Sequence, residues 1–324
     1  MSIRFRQKSG LENKIRQNAR RTRGLRQEKK GISRKEKRKG RISWLFLSPS
    51  LLGVLTFFLL PFCVIIFYAF VNNPIQKEFV GIQNFINVWD NNAFKRAGWN
   101  TLRFSFTAVP LAVMLSLLLA VIMESKIRMK SQFRTFFLTP MMVPVASIVL
   151  IWQVLFHYNG TINEVLIHLN LIDAAHKIDW FNTVHAQVII VVLFLWKNLG
   201  YNMILFMAAL SSVPQDVIEV AELESATKWQ IFWKIRMRYI SSTILFVTIM
   251  SLINSFKVFR EIYLLTGDYP YESLYMLQHY MNNKFQSLDY QALSTAAIIM
   301  SVVIIVLVFI MFRFEDVYGK DVEG

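Results

Sequence analysis

Two apolar runs carry polar and charged side chains at helical spacing. The first holds Lys197, Asn198, Tyr201 and Asn202, with Lys197 and Tyr201 on one face at i, i+4. The second holds Asn254, Ser255, Lys257, Arg260 and Glu261, with the three ionisable groups on one side. In hydrocarbon surroundings an ionisable side chain costs about 2.5–3.5 kcal/mol on insertion scales, so such groups mark solute or ion pathways. Glu261 is spaced to neutralise Lys257 within its own helix. The structural alternative is interhelical hydrogen bonding, with the lysines snorkelling to the interface. No nucleophile–base set or carboxylate pair accompanies these groups, which argues against an enzyme. The histidines (His157, His168, His176, His185 and His279) fall at or beyond the outer ends of the expected membrane spans and form no H-E-x-x-H pair. They are expected to be solvated loop residues. Cys63 is the single cysteine, which excludes an intrachain disulfide framework and a Cys-rich zinc site.

Long apolar helices are what must position this chemistry. Of 324 residues, 54% are hydrophobic and 18% charged, below the roughly 25% charged residues of a typical soluble domain. Stretches free of Asp, Glu, Lys and Arg run over Ile42–Gln76, Phe104–Met123, Thr135–Asn163, Tyr239–Phe256 and Tyr290–Phe312. Two more, Trp180–Trp196 and Asn198–Gln215, are split only by Lys197. A bilayer core needs about 20 apolar residues as helix. The runs predict an all-α membrane protein with six transmembrane helices at 44–70, 102–123, 135–157, 185–210, 240–264 and 291–312. Pro110, Pro140 and Pro144 lie in or near these spans, where neighbouring helices tolerate kinks.

The net charge of +15 belongs to one end of the chain: residues 1–42 carry 17 Lys and Arg against three Glu. This basic tail, with Lys and Arg in the loops 124–134 and 211–238, predicts that both termini are cytoplasmic. The tail sets topology and suits loose contact with anionic membrane lipid. It lacks the interleaved aromatics of a nucleic-acid surface, so no nucleic-acid partner is expected. Domain limits follow: a tail over 1–42, a six-span domain over 43–314, and a cytoplasmic C-terminal tail over 315–324.

The cytoplasmic loop 211–240 contains two short amphipathic stretches. Val217, Val220, Ala221 and Glu224 recur at helical spacing, and then Trp229, Phe232, Trp233 and Met237. A two-faced helix outside the membrane fits either a groove on a partner or the lipid surface.

Here the chain resembles the permease subunits of binding-protein-dependent ATP-binding-cassette importers, the carbohydrate group that includes the maltose, glycerol-phosphate and multiple-sugar systems. Their coupling motif reads approximately E-A-A-x-x-D-G-A, then Q-x-F. This chain has Glu219-Val220-Ala221, Glu224-Ser225-Ala226 and Gln230-Ile231-Phe232. Ser225 stands where the family has a glycine that permits a sharp bend. Further matches are Phe79-Val80-Gly81-Ile82-Gln83-Asn84-Phe85, Asn100-Thr101-Leu102, Gly160 with Asn163, Trp196-Lys197, Leu265-Thr266-Gly267 and Asp289-Tyr290. They occur in family order across about 44–314.

The resemblance implies a type I importer permease fold in a bacterial cytoplasmic membrane. It implies a second permease subunit, two ATPase subunits and an extracellular or periplasmic solute-binding protein. ATPase coupling falls to Glu219, Ala221, Glu224, Ser225, Ala226, Gln230 and Phe232. No G-x-x-x-x-G-K-[ST] phosphate loop occurs in the sequence, so ATP and Mg are expected on the ATPase partners and no cofactor or metal on this chain. Sugar sites set hydroxyl-binding groups beside flat aromatic faces. The pathway candidates are therefore Gln153, Lys197, Asn198, Tyr201, Asn202, Asn254, Phe256 and Lys257, with Trp152 beside Gln153. Same-fold permeases for polyamine or phosphate, and a membrane-anchored interaction protein, are the alternatives.

Overall fold

The computed structural model describes residues 43–124 and 130–318, with side chains to 315. The basic tail 1–42 lies outside the described residues, as does most of 315–324. The chain divides into two units between Val64 and Ile65. Helix α1 (Ser43–Ala69) crosses that division, with a π-helical turn at Leu55–Leu59 in the first unit.

Among the described residues the regular elements of the second unit are helices joined by loops, with one isolated bridge between Val71 and Phe79. A short helix α2 (Gln83–Asp90) leads into α3 (Asn92–Glu124), and beyond 125–129 come α4 (Lys130–Met142), α5 (Val145–Phe156) and α6 (Thr161–His168). Helix α7 (Ala186–Ser211) ends at the loop helices α8 (Gln215–Leu223) and α9 (228–239). Then follow α10 (Ser241–Phe256), α11 (Phe259–Thr266), α12 (Leu277–Gln286) and α13 (Tyr290–Tyr318). Six helical segments are long and apolar enough to cross a membrane: Ser43–Ala69, Asn92–Glu124, Val145–His168, Ala186–Ser211, Ser241–Thr266 and Tyr290–Glu315.

Three expected spans differ in detail. The second begins at Asn92, earlier than expected, because Asn91 caps it by accepting from the Ala93 and Phe94 N–H groups. The third is broken at Val143–Pro144, since proline has no N–H and biases the residue before it away from helix. The fifth is interrupted at Lys257–Val258, where the Lys257 N–H turns to the Asn254 carbonyl at 3.1 Å.

Helix α3 packs along α7 and is the spine of the bundle. Ala108, Ala112, Ser116 and Ala120 recur every fourth residue and are fully buried. Small side chains at that spacing let two helix backbones approach closely where no solvent drives them together. Phe104 meets Phe194 edge-on at 5.6 Å within the same core, which also takes in Ile148, Ile190 and Ile262. Outward, Phe106, Met114, Val188, Ile305 and Phe309 are exposed, as suits a lipid-facing surface.

Most of the matched motifs hold connections. Asn84 donates to the Ala69 and Val71 carbonyls, both at 2.9 Å, and Gly81 adopts φ +58° in the turn before it. Asn100 donates to the Glu272 and Tyr275 carbonyls, and Thr101 Oγ1 accepts from the Leu277 N–H at 2.8 Å. Asn163 is fully buried and ties Tyr158, Ile178 and Trp180 together. Gly267 ends α11 at φ +80°. Asp289 caps α13 through the Ala292 N–H and pairs with Lys284.

His279 departs from its expectation. It is fully buried between Phe259 and Tyr275, with Nδ1 accepting from the Met276 N–H. The Thr101 and Asn100 bonds pull its segment onto α3, so the imidazole goes inside with it. Burial pushes its pKa down to about 4, only partly opposed by Asp268.

Candidate functional site

Helices α7, α10, α11 and α12, with Met141 of α4, line an open cavity of about 740 Å³. Lys197, Asn198 and Tyr201 reach it from α7, Asn254 from α10 and Lys257 from the break between α10 and α11. The i, i+4 spacing of Lys197 and Tyr201 brings both to one wall, as their sequence positions imply. Asn254 Nδ2 donates to Asn198 Oδ1 at 3.0 Å, and Asn198 Nδ2 donates back to the Phe194 carbonyl at 2.8 Å. These bonds orient two amides at the cavity edge.

Three pathway candidates lie outside this wall. Asn202 is buried and donates to Ser251 Oγ at 2.9 Å, holding α7 to α10. Phe256 is buried with Val109 and Leu252. Gln153 donates to the Leu264 carbonyl at 3.2 Å, near the end of α11, and Trp152 beside it stacks on Phe156 in the core.

The ion pairing also differs from the local spacing. Glu261 pairs with Lys197 of α7 instead of Lys257. The interruption at Lys257–Val258 turns α11 relative to α10, so Glu261 points inward while Lys257 and Arg260 stay exposed. Sequence reading missed Gln278 of α12, which enters the wall because Asn100 and Thr101 tether the preceding segment. It also missed Gly200. A Cβ there would collide with the Phe137 carbonyl of α4, so glycine is what lets α4 lie against α7.

The loop 211–240 is built on an apolar core of its own at one end of α7. Val213, Ile218, Ile231 and Ile240 are buried with Met203, Phe206 and Leu210 of α7. Helix α8 ends in a Schellman turn: the Ser225 N–H bonds the Glu222 carbonyl and the Ala226 N–H bonds the Ala221 carbonyl at 2.9 Å. Ser225 supplies the left-handed residue at φ +64°, a conformation glycine takes without cost. Ala221 and Ala226 pack inward across that turn. Thr227 and Gln230 then form a reciprocal capping box that starts α9, the Thr227 N–H reaching Gln230 Oε1 at 2.8 Å. Phe232 lines a second, more apolar cavity of about 740 Å³ between α9 and α3. Arg236 bonds Glu124 at 2.6 Å and so ties the loop to the end of α3. Asp216, Glu219, Val220, Leu223 and Glu224 are left exposed on the outer face of α8. Among the described residues no cluster of three His, Cys, Asp or Glu could hold a metal ion.

Residues 100–323 match the family model described as the binding-protein-dependent transport system inner membrane component. The chain belongs to that family. The inner membrane component is 27% identical over 223 residues to the lactose transport system permease protein LacF of Rhizobium radiobacter, covering 68% of this chain and 74% of that one. It is 28% identical over 239 residues to the trehalose/maltose transport system permease protein MalF of Thermococcus litoralis, covering 72% and 79%. Its fold matches a chain in the crystal structure of a bacterial alginate ABC transporter in complex with alginate pentasaccharide-bound periplasmic protein. The TM-score is 0.74 at 20% identity, over 87% of this chain and 96% of that one. This inner membrane component is therefore a multi-pass membrane permease.

Proposed function

We propose that this permease forms half of the translocation pathway of an ATP-driven importer for sugars or oligosaccharides. A second permease subunit would supply the other half, and both termini would face the cytoplasm. Two separate ATPase subunits would carry ATP and Mg and dock on the exposed face of α8. A solute-binding protein would deliver the saccharide from outside.

The observation that carries this reading is the continuity of α7. One helix contributes Lys197 and Tyr201 to the polar cavity and Leu210 to the core that roots the loop. A displacement of the loop by a docked ATPase is thereby transmitted along α7, and through Arg236–Glu124 to α3. Rigid packed helices with two arrangements are the physical basis of alternating access. The saccharide class is supported by the amide and hydroxyl groups of the cavity and by the lactose and maltose relatives.

The test is purification of this chain from its native membrane, with mass spectrometry of what accompanies it. Recovery of an ATPase and a second permease is expected. Recovery of neither with well-folded protein would overturn the docking role of α8 and favour a membrane-anchored interaction protein. Uptake of polyamine or phosphate alone by the recovered complex would overturn the saccharide assignment.

A further inference from the structure

Charge in the cavity is unevenly matched. Its wall carries Lys197, Lys257, Arg260 and Glu261 as the charged side chains. Lys197 and Glu261 neutralise one another. Lys257 and Arg260 have no ion-pair or side-chain hydrogen-bond partner among the described residues, and both are exposed. Two uncompensated cations therefore sit within a segment that is long and apolar enough to cross the membrane, Ser241–Thr266. Ionisable groups at that depth are expensive unless something pairs with them.

Beside the cations are groups that suit hydroxyls. Asn254 spends one amide hydrogen on Asn198, and its side-chain Oδ1 accepts no hydrogen bond among the described residues. Glu261 is buried, with its Oε2 shut off from the cavity and its charge committed to Lys197, so it leaves Lys257 and Arg260 unanswered. The aromatic rings of Phe194 and Phe259 supply flat apolar surface on the same wall. Arginine offers a planar fork of donors that matches carboxylate or phosphate oxygens, and lysine a point charge.

We infer that the solute is an anionic saccharide, its carboxylate or phosphate received by Lys257 and Arg260 and a hydroxyl by Asn254. This rests on the saccharide-importer reading and narrows it. A purely neutral sugar brings no counter-charge to either cation.

The test uses the complex isolated with its partner subunits, titrated by calorimetry with two matched pairs. One is trigalacturonate against the same trimer reduced to the neutral alcohol. The other is glucose 6-phosphate against glucose. At least one anion should bind about tenfold more tightly than its neutral match, roughly what a close charge pair contributes. Preference in the first pair alone assigns carboxylate, and in the second alone phosphate. The Lys257→Gln/Arg260→Gln variant should lose that preference and retain binding of the neutral trimer. Equal or tighter binding of the neutral compounds would overturn the inference and leave the importer reading standing. No saccharide binding by a complex that still hydrolyses ATP would overturn both. Loss of the second permease from the double variant would assign the cations to the subunit interface instead and overturn the inference.

Discussion

Lys197 and Glu261 join two helices across an interruption: the ammonium on α7 meets the carboxylate on α11, just past Lys257. Glu261 is only 6% exposed at its side chain and Lys197 30%. Removing one partner of a buried pair leaves the other charge unpaired, which costs about 3–5 kcal/mol. Lys197→Met should therefore be strongly destabilising, since it strands a carboxylate whose second oxygen already lacks a partner. Glu261→Gln should cost less, because Lys197 can turn its ammonium into the cavity. The combined variant should melt above Lys197→Met alone. Thermal unfolding in detergent of the four proteins measures this, and additive losses would show that the pair is not coupled.

Gly200 is where α4 touches α7, and its Cα faces the Phe137 carbonyl. Backbone atoms have no rotamer to escape into. Gly200→Ala should destabilise by about 1–3 kcal/mol, the usual range for overpacking. Gly200→Leu should abolish uptake, because α4, with Met141, must move away from the part of the cavity wall that carries Lys197. Uptake assays with quantified membrane insertion check both. Unimpaired transport by the leucine variant would mean that α4 and α7 separate freely.

Ser225 occupies a left-handed conformation at φ +64° on an exposed turn. That region costs a non-glycine residue about 1–2 kcal/mol. Ser225→Gly should raise stability by up to about 1 kcal/mol, the glycine entropy offsetting part of the relief. Ser225→Val should lower it, since a β-branched side chain fits that region worst. Opposite shifts in unfolding temperature are the expected result. The same sign for both would mean that the turn is not strained.

The six spans and their approximate places were legible because lipid demands long uncharged helices, and Lys and Arg mark their ends. The motif asparagines were legible as a pattern but not as physics. Only the structure shows Asn163 holding three separate groups and Asn100 catching the segment after Glu272. The partner of Glu261 was not legible. Spacing within one helix favours Lys257, and the interruption that redirects it contains neither proline nor glycine. The stripe Ala108, Ala112, Ser116, Ala120 was available from its four-residue period. Phe256 and Asn202 read as lining by residue type alone, whereas side-chain direction depends on tertiary rotation of the helix.

His279 gives the protein an acid-sensitive element outside the spans. Its folded pKa is about 4 against an ordinary 6.5. The unfolded chain thus binds more protons between those values, and stability rises with pH there. The contribution is fully present above pH about 6.5, falls as pH drops, and is gone near pH about 4. Its size is on the order of 3 kcal/mol. Protonation would also end the acceptance of the Met276 N–H by Nδ1. His279→Gln should flatten the unfolding temperature between pH 7 and 5. An unchanged pH slope in that variant would assign the acid sensitivity to other groups.

Glu219 lies on the exposed face of α8 with Val220 and Leu223, and its carboxylate has no partner among the described residues. In the proposed docking role, a charge there acts on a partner and not on the fold. Glu219→Lys should leave insertion and unfolding temperature within about 0.5 kcal/mol of the parent, as surface substitutions do. It should nevertheless abolish uptake, because like-charge contact across an interface costs several kcal/mol. The ATPase should be lost from the purified complex in the same variant. Retained ATPase with retained uptake would exclude Glu219 from the docking surface. Loss of folding together with uptake would instead place Glu219 among the residues that hold the loop, which its exposure argues against.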